Sequence, residues 1–313
     1  MAARISVIIP THYRNTLLAR AITSVQNQSY DPVELIVVDD SGEAHARPVL
    51  ERFPDVTPIY HEENRGWAAA NTTGIEASSG EYIQLLDDDD YLFEGKLAKT
   101  AAILDANPDI GVSYCGVIRG EDGPCFPKST VAGNILKPAL RFETFPLWTG
   151  SMLIRRDVLL DCLPLAGMAP DDDLDIELGD TDLKIELAIR AQFEYVDECL
   201  AVYSQTTNAL WTEPRTFQKV RQNVEHRGDL YDQYPEIKHE LLATWYRREG
   251  KYWLKQRTWA LRAIWCFSKS TYHARGLSDR MKGGAVTLAS MFGLPGWLAI
   301  NHAWEFARRT SQG

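Results

Sequence analysis

The sequence predicts an α/β fold with a mainly parallel, Rossmann-like sheet, followed by an α-helical C-terminal extension. In the N-terminal part, short apolar runs alternate with segments of helical periodicity, which is the rhythm of right-handed strand–helix–strand units. The charge changes along the chain: residues 1–211 hold 16 Lys and Arg against 34 Asp and Glu, whereas residues 212–313 hold 17 against 9. We therefore predict one domain over 1–211 and a basic helical extension over 212–313.

The elements follow from the residue patterns. Strands are predicted where the residues are β-branched or apolar without interruption, and helices where apolar residues recur every three or four positions. The predicted strands of the first domain are 5–9, 35–38, 58–60 and 82–86. Its predicted helices are 16–28, with Asn15 or Thr16 as N-cap, 44–53, interrupted at Pro48, and 67–78. The extension reads as helices over 214–233, 236–249, 250–269 and a last stretch beyond 275.

The composition excludes several protein classes. With 45% hydrophobic and 24% charged residues, the chain can bury a sizeable core, unlike a disordered or collagen-like protein. A net charge of −10 argues against a nucleic-acid binder, which is usually strongly basic. The five cysteines are odd in number and form no C-x-x-C pair, which favours a reducing cytoplasm. Residues 1–9 lead directly into a predicted strand, so we expect no secretory signal.

Acidic residues follow two of the predicted strands. Residues 87–90 are four consecutive aspartates after the fourth strand, and Asp39 and Asp40 follow the second. In such sheets, ligands bind beyond the carboxyl ends of the strands, where both groups fall. Four adjacent carboxylates repel one another unless a cation offsets the repulsion, and Mg²⁺ typically takes one or two carboxylates plus substrate phosphates. The sequence therefore predicts a metal site that neutralises a diphosphate; a solvated acidic turn is the alternative.

Several segments together resemble the family 2 glycosyltransferases, which have the GT-A fold. The resemblance covers roughly residues 4–205, and it is carried by 5–14, 24–30, 34–41, 64–66 with Gly74, and 80–83 running into 86–90. In the second half, residues 149–156 resemble the strand on the acceptor side of the family. The resemblance implies transfer of a sugar from a nucleotide-diphosphate sugar, with inversion, to an acceptor hydroxyl or to a lipid phosphate.

The resemblance also assigns site residues. Asp40 would read the edge of the base, Asp88 would hold the ribose side, and Asp89 would bind the metal, Mg²⁺ or Mn²⁺. Gly179 to Leu183 stand where the family has Glu-Asp-x-Asp-Leu, so Asp180 is the predicted general base, and Asp182 is a structural acid at a helix N-terminus. The full set of predicted nucleotide-sugar contacts is Pro10, Thr11, Tyr13, Arg14, Asp40, Asn71, Asp87 and Asp88.

The chain departs from the family pattern in three places. Asn71-Thr72 stand where the family often has Arg-Asn, so an arginine that contacts the diphosphate is missing. Gly179 replaces the Glu that precedes the base, which removes the usual orienting partner of Asp180. Residues 204–208 contain no histidine, although many members carry one there that helps to bind the metal or diphosphate.

The basic extension contains one long uncharged segment. Residues 283–304 hold no Asp, Glu, Lys or Arg over 22 positions, but residues 293–296 (Gly-Leu-Pro-Gly) interrupt them. A re-entrant or interfacial segment therefore fits better than a straight membrane span, with Trp297 and Trp304 as interface residues. We expect peripheral attachment to the cytoplasmic face of the cell membrane. The alternative is a helical hairpin that packs on the first domain with its aromatic residues as core.

The sequence thus predicts a metal-assisted, inverting glycosyltransferase. The expected donor is a nucleotide-diphosphate sugar, with UDP as the favoured nucleotide, and the expected acceptor is a hydroxyl of a lipid-linked oligosaccharide or surface glycan precursor. Two alternatives remain open: transfer to a polyprenyl or dolichyl phosphate, and a non-catalytic, membrane-associated protein that binds nucleotide sugars. A nucleotidyltransferase would need a Gly-rich basic loop after the first strand, and residues 11–14 do not form one.

Overall fold

The computed structural model describes residues 2–165, 179–204, 214–256 and 261–300. The chain forms two compact units, a first unit of residues 1–206 and a second unit of residues 207–313. Each unit is built around its own secondary structure and is described by itself.

The first unit contains one mixed sheet. Its described strands are β1 (Ile5–Thr11), β2 (Val33–Asp39), β3 (Val56–Tyr60), β4 (Tyr82–Leu85), β5 (Tyr91–Leu92), β6 (Ile110–Arg119), β7 (Gly123–Cys125), β8 (Met152–Arg155) and β9 (Gln192–Tyr203). The strand order is β3-β2-β1-β4-β8-β6-β9-β5, and β7 pairs with β6. The first four strands of this order are parallel, β8 runs antiparallel to both of its neighbours, and β6 and β9 are parallel. The predicted α/β fold with a mainly parallel sheet is confirmed.

Helices cover this sheet. The described helices of the first unit are α1 (Asn15–Gln26), α2 (Arg47–Leu50), α3 (Gly66–Ala77), α4 (Lys96–Ala106), α5 (Leu136–Leu140), α6 (Arg156–Leu160) and α7 (Gly179–Arg190). Helix α1 begins at Asn15, whose amide donates to the carbonyl of His45 (3.1 Å), so the predicted N-cap role of Asn15 is wrong. Pro48 lies in the first turn of α2 and does not interrupt it, because proline lacks only an N–H that the first turn leaves unpaired.

The register of β1 brings the predicted site residues to one edge of the sheet. Thr11 at the end of β1 pairs with Asp39 at the end of β2. On the other side of β1, Ile8 pairs with Leu85, and the N–H of Leu86 still donates to the carbonyl of Ile8 (3.0 Å). Strands β1, β2 and β4 therefore end at the same edge of the sheet. This places Asp40 and residues 87–90 beside the end of β1.

The second unit is helical in the part that the structure describes. Its helices are α8 (Pro214–His226), α9 (Gly228–Asp232), α10 (Pro235–Gln256), α11 (Leu261–His273) and α12 (Leu277–Ser290), and residues 293–300 are also helical. Helix α10 runs through residues 249–250, so the predicted break there is wrong. A Cβ at Gly250 would lie 2.9 Å from the ring of Phe267, which means that this glycine permits close packing of α10 on α11.

The uncharged segment of the tail behaves differently from the prediction. Trp297 is 8% exposed and packs with Leu254, Ala263 and Phe267 in the core of the second unit, so its predicted place at a membrane interface is wrong. Residues 301–304, including Trp304, lie outside the described residues. Among the described residues, no helix is long and apolar enough to cross a membrane.

Candidate functional site

The four aspartates of residues 87–90 form a turn after β4, which we call the acidic turn. The N–H of Asp90 donates to the carbonyl of Asp87 (3.0 Å), so the chain reverses tightly here. Asp88 is 5% exposed, and its carboxylate accepts a hydrogen bond from the Thr11 hydroxyl (2.7 Å) at the end of β1. Arg14 reaches across from the start of α1 and lies 3.2 Å from Asp88 and 3.0 Å from Asp89. The structure therefore brings together three of the predicted nucleotide contacts, Thr11, Arg14 and Asp88, with the predicted metal ligand.

Asp87 and Asp90, the first and last residues of the acidic turn, have raised pKa values. The carboxylate of Asp87 accepts a hydrogen bond from the Trp67 indole (2.8 Å), and that of Asp90 accepts one from the N–H of Ser204 (2.7 Å). Burial, reinforced by the neighbouring carboxylates, raises the pKa of Asp87 to about 7 and the pKa of Asp90 to about 8. Burial also raises the pKa of Asp88. Too little positive charge surrounds these groups to keep all of them ionised without cost.

Asp180, the predicted base, lies close to this turn. It stands in the first turn of α7, and its negative charge contributes to the raised pKa values of both Asp87 and Tyr203. One carboxylate oxygen of Asp180 is 2.6 Å from the ammonium of Lys184, one helical turn later. Among the described residues, the contact given for the other oxygen is a long one, 3.4 Å, with the hydroxyl of Thr181.

An aromatic wall completes this side of the site. The ammonium of Lys184 lies 5.1 Å from the centroid of the Trp148 ring, which in turn is 4.1 Å from the ring of Tyr203. The indole nitrogen of Trp148 is buried and has no hydrogen-bond partner among the described residues. A buried donor without an acceptor is costly, so this N–H is available to a ligand oxygen.

Tyr13 has the most unusual backbone of the predicted contacts. Its φ is +59°, a left-handed conformation that non-glycine residues rarely adopt, and its ring is 47% exposed. The ring contacts the imidazoles of His12 (4.6 Å between centroids) and His45 (4.7 Å). A hydrogen bond with Glu43 raises the pKa of the Tyr13 phenol. Residues 12 and 13 thus present an aromatic surface at the end of β1, beside the buried Pro10.

Asp40 stabilises the start of α3. Its buried carboxylate accepts hydrogen bonds from His61 (2.6 Å) and from the backbone N–H groups of Arg65 (2.9 Å) and Gly66 (2.7 Å). This is a favourable position for a negative charge, because the N-terminus of a helix presents unpaired N–H groups. A carboxylate has about four acceptor positions, so a contact with a base would use the remaining one.

Asn71, a predicted nucleotide-sugar contact, lies on α3. Its side chain is fully buried within α3, and its amide donates to the carbonyl of Trp67 (2.9 Å). Its Oδ1 is buried and has no hydrogen-bond partner among the described residues, so the predicted contact with a ligand stays a prediction. Trp67, one turn earlier on the same helix, contacts the acidic turn.

Two residues of the site escaped the sequence analysis. Lys184 could have been found, because its i+4 spacing from Asp180 on a predicted helix places the two charges on one face. Trp67 carries no such signal, since its contact with Asp87 depends on how α3 packs against the sheet. Residues 205–208, where a histidine was looked for, lie outside the described residues.

The carboxylate oxygens of the acidic turn are the kind of ligand that a hard divalent cation prefers. Its carboxylates are crowded oxygen donors, and burial and mutual repulsion raise the pKa values of Asp87 and Asp90. Within the described ranges, no three His, Cys, Asp or Glu side chains are arranged to hold a metal ion by themselves. A site of this kind would supply one or two carboxylates and leave the other positions to a ligand, as Mg²⁺ sites commonly do.

The sequence matches a known family. Residues 6–163, about half of the chain, match the family described as glycosyl transferase family 2. An uncharacterized glycosyltransferase of Nostoc sp. is 29% identical over 174 residues, which cover 52% of this chain and 54% of that protein. The Campylobacter jejuni GalNAc(5)-diNAcBac-PP-undecaprenol beta-1,3-glucosyltransferase is 36% identical over 100 residues, 30% of this chain and 32% of that protein. The chain spans about half or less of the length of these relatives.

Solved structures share the fold. S. aureus TarS 1–349 in complex with UDP-GlcNAc superposes with a TM-score of 0.61 at 16% identity, covering 97% of this chain and 92% of that one. The mannosyltransferase PcManGT from Pyrobaculum calidifontis, in complex with GDP-Man and Mn²⁺, gives a TM-score of 0.53 at 18% identity, covering 98% and 81%. At these identities the likeness shows the fold alone.

Proposed function

The chain belongs to glycosyl transferase family 2, and on that premise we propose that it transfers a sugar, with inversion, from a nucleotide-diphosphate sugar to an acceptor hydroxyl. One observation carries the proposal: residues from distant parts of the sequence meet at the acidic turn, where Asp88 accepts a hydrogen bond from Thr11 (2.7 Å) and Arg14 lies 3.0 Å from Asp89. Asp180 is near enough for its charge to contribute to the raised pKa of Asp87. A candidate base beside a cluster of carboxylates is the arrangement that a metal-assisted displacement needs.

Asp180 would remove the proton of the acceptor hydroxyl. Lys184 holds one carboxylate oxygen at 2.6 Å, which fixes the rotamer and leaves the other oxygen for the proton. Lys184 therefore acts as a positioning residue in place of the glutamate that Gly179 replaces. The unpartnered indole N–H of Trp148 and the ring of Tyr203 would orient the acceptor at the same side.

Asp89, assisted by Asp87, would hold a Mg²⁺ or Mn²⁺ ion. When bound, the ion would supply positive charge that stabilises the departing nucleoside diphosphate. Arg14, which already lies 3.0 Å from Asp89, would contribute further positive charge beside it. The exposed ring of Tyr13 and the remaining acceptor position of Asp40 would contact the nucleotide base. Pro10 and Thr11, at the end of β1, would complete this part of the nucleotide site.

The comparisons support a class of donor and acceptor. TarS binds UDP-GlcNAc and PcManGT binds GDP-Man with Mn²⁺, so a nucleotide-diphosphate sugar fits both structural relatives. We favour UDP as the nucleotide. The Campylobacter relative is named for an undecaprenol-linked substrate, which supports a lipid-linked or surface glycan acceptor for this protein. Such an acceptor would place the enzyme at the cytoplasmic face of the membrane.

A phosphate acceptor is the second candidate, and Lys184 favours it. An ammonium beside Asp180 is well placed to bind an anionic acceptor such as a polyprenyl phosphate. A phosphate is already ionised and needs no base. The two candidates therefore differ in what they require of Asp180.

The substitution Asp180→Asn distinguishes them. For a hydroxyl acceptor, we expect transfer from the UDP-sugar to fall by at least about a hundredfold, as is usual for the loss of a general base, with nucleotide affinity unchanged. Turnover of the native protein, Asp180→Asn and the exposed control Asp197→Asn would be measured with the donor and acceptor found by screening. Turnover that survives in Asp180→Asn would favour the phosphate acceptor, and equal loss in the control would contradict both roles.

A further inference from the structure

The outer face of α12, together with the two residues that follow it, carries a row of exposed apolar side chains. Successive residues of an α-helix advance by about 100°, so residues at spacings of four, seven and eleven lie on one side. We name the following residues, which fall within an arc of about 100°, the apolar stripe: Leu277, Met281, Leu288, Met291 and Phe292. Their exposed fractions are 77%, 68%, 61%, 49% and 80%, respectively.

The orientation of α12 within the second unit is fixed by its inner face. Ala289 and Ser290 are buried, and Val286 packs on the core cluster that contains Phe267. A Cβ at Gly283 would lie 2.5 Å from the hydroxyl oxygen of Thr271, so α12 approaches α11 closely at this point. The helix therefore already has a packed side, and the apolar stripe lies opposite it.

Positive charge accompanies the stripe. Residues 275–292 contain Arg275, Arg280 and Lys282 against a single acidic residue, Asp279. The second unit as a whole holds 17 basic and 9 acidic residues, whereas the first holds 16 and 34. Both the exposed apolar row and the excess of positive charge therefore belong to the same unit.

We propose that the apolar stripe inserts into the surface of an anionic membrane, with α12 lying in the plane of the interface. Amphipathic helices with basic flanks bind in this way, burying apolar side chains below the headgroups while Lys and Arg contact anionic lipids. The stripe extends over residues 277–292, roughly 22 Å along a helix, which suits a helix lying in the interface.

The proposal deepens the membrane location given under the proposed function, but it rests on the second unit alone. It also moves the contact from the predicted segment 283–304 to residues 277–292, because Trp297 is packed inside the unit. Leu288 and Phe292 become the principal anchors, since each presents a large apolar side chain to solvent.

Sedimentation with vesicles tests the proposal without any nucleotide. The full-length protein would be mixed with vesicles of phosphatidylcholine, and with vesicles of equal parts phosphatidylcholine and phosphatidylglycerol. We expect binding to the anionic vesicles, and we expect the double variant Leu288→Gln, Phe292→Gln to bind at least about tenfold more weakly, since burying one such side chain is worth that much. Phe126→Gln removes a ring that is 53% exposed in the first unit and should bind like the native protein.

The outcomes are separable. Unchanged thermal unfolding of the double variant shows that it is folded, because both side chains are exposed. Failure of the native protein to bind anionic vesicles, or equal binding by the double variant, overturns the proposal. A native dimer in light scattering that the double variant converts to a monomer, without vesicle binding, would assign the stripe to a second copy instead. Loss of enzymatic activity alone would change none of these results.

Discussion

At the scale of single residues, the acidic turn is held together by donors from separate parts of the chain. Asp87 accepts from Trp67, Asp88 from Thr11, and Asp90 from the backbone of Ser204. These donors fix the carboxylates in place but do not neutralise them. The pKa values of about 7 and about 8 for Asp87 and Asp90 show that the folded protein disfavours their ionised forms.

This charge balance predicts how stability depends on pH. The folded-state pKa of Asp90 lies above its ordinary value of 3.8, so the folded protein binds the proton more tightly than the unfolded chain does. Its contribution is therefore favourable at low pH and is lost as the pH rises from about 4 towards about 8. The amide that Asp90→Asn introduces cannot titrate, and its oxygen can still accept from Ser204.

We therefore expect Asp90→Asn to become more stable than the native protein as the pH approaches 8, by a few kcal/mol at about 1.4 kcal/mol per pKa unit. Urea unfolding of both proteins at several pH values, without divalent cations, measures the difference. The exposed control Asp55→Asn should run parallel to the native protein. A constant difference between Asp90→Asn and native across the range would contradict the assigned cause.

The sequence identified the carboxylates of this site better than it identified their partners. Consecutive aspartates after a buried strand are visible in the sequence, and the family resemblance added Asp180. The partners Trp67 and Ser204 depend on tertiary packing, to which no spacing rule applies. Asn71 was assigned by comparison with the family pattern, and its side chain is fully buried in the structure.

At the scale of the elements, the first four strands were predicted from their residue patterns, whereas the long strands β6 and β9 were not. Strands β1 to β4 are joined by helices, and each was predicted within a few residues of its observed bounds. Strands β1 and β4 are buried throughout, and β2 is buried over its last five residues. The long strands β6 and β9 mix polar and apolar residues, and no strand was predicted from the residue pattern of either. In the second unit, a break between two helices was predicted at residues 249–250, whereas α10 continues through it and Gly250 packs closely against Phe267.

The packing of α10 on α11 gives a prediction at this scale. In Gly250→Ala, the new methyl group would lie 2.9 Å from the Phe267 ring, so we expect a loss of about 1–3 kcal/mol of stability despite the higher helix propensity of alanine. Gly284→Ala is the matched control, because no atom lies within 4 Å of its Cβ position. We expect that variant to gain about 0.5–1 kcal/mol. Chemical denaturation measures both, and a stabilised Gly250→Ala would contradict the packing argument.

At the scale of the whole molecule, the two units differ both in net charge and in the surface features they carry. The acidic first unit carries the candidate catalytic site, and the basic second unit carries the apolar stripe. The opposite charges were visible in the sequence, and an attachment of the tail to membranes was predicted from it. The surface that would make the attachment was not, because the sequence cannot show which side of α12 packs on α11.

We propose that the acidic turn binds a nucleoside diphosphate together with a divalent cation. The measurement that tests it most directly is calorimetric titration of UDP into the native protein, with and without Mn²⁺. We expect binding that requires Mn²⁺, that falls at least about tenfold in Asp89→Asn, as expected for loss of a charged ligand, and that is unchanged in Asp55→Asn. UDP affinity that is equal with and without Mn²⁺, or equal in Asp89→Asn and native protein, would contradict joint binding of the diphosphate and the cation at the acidic turn.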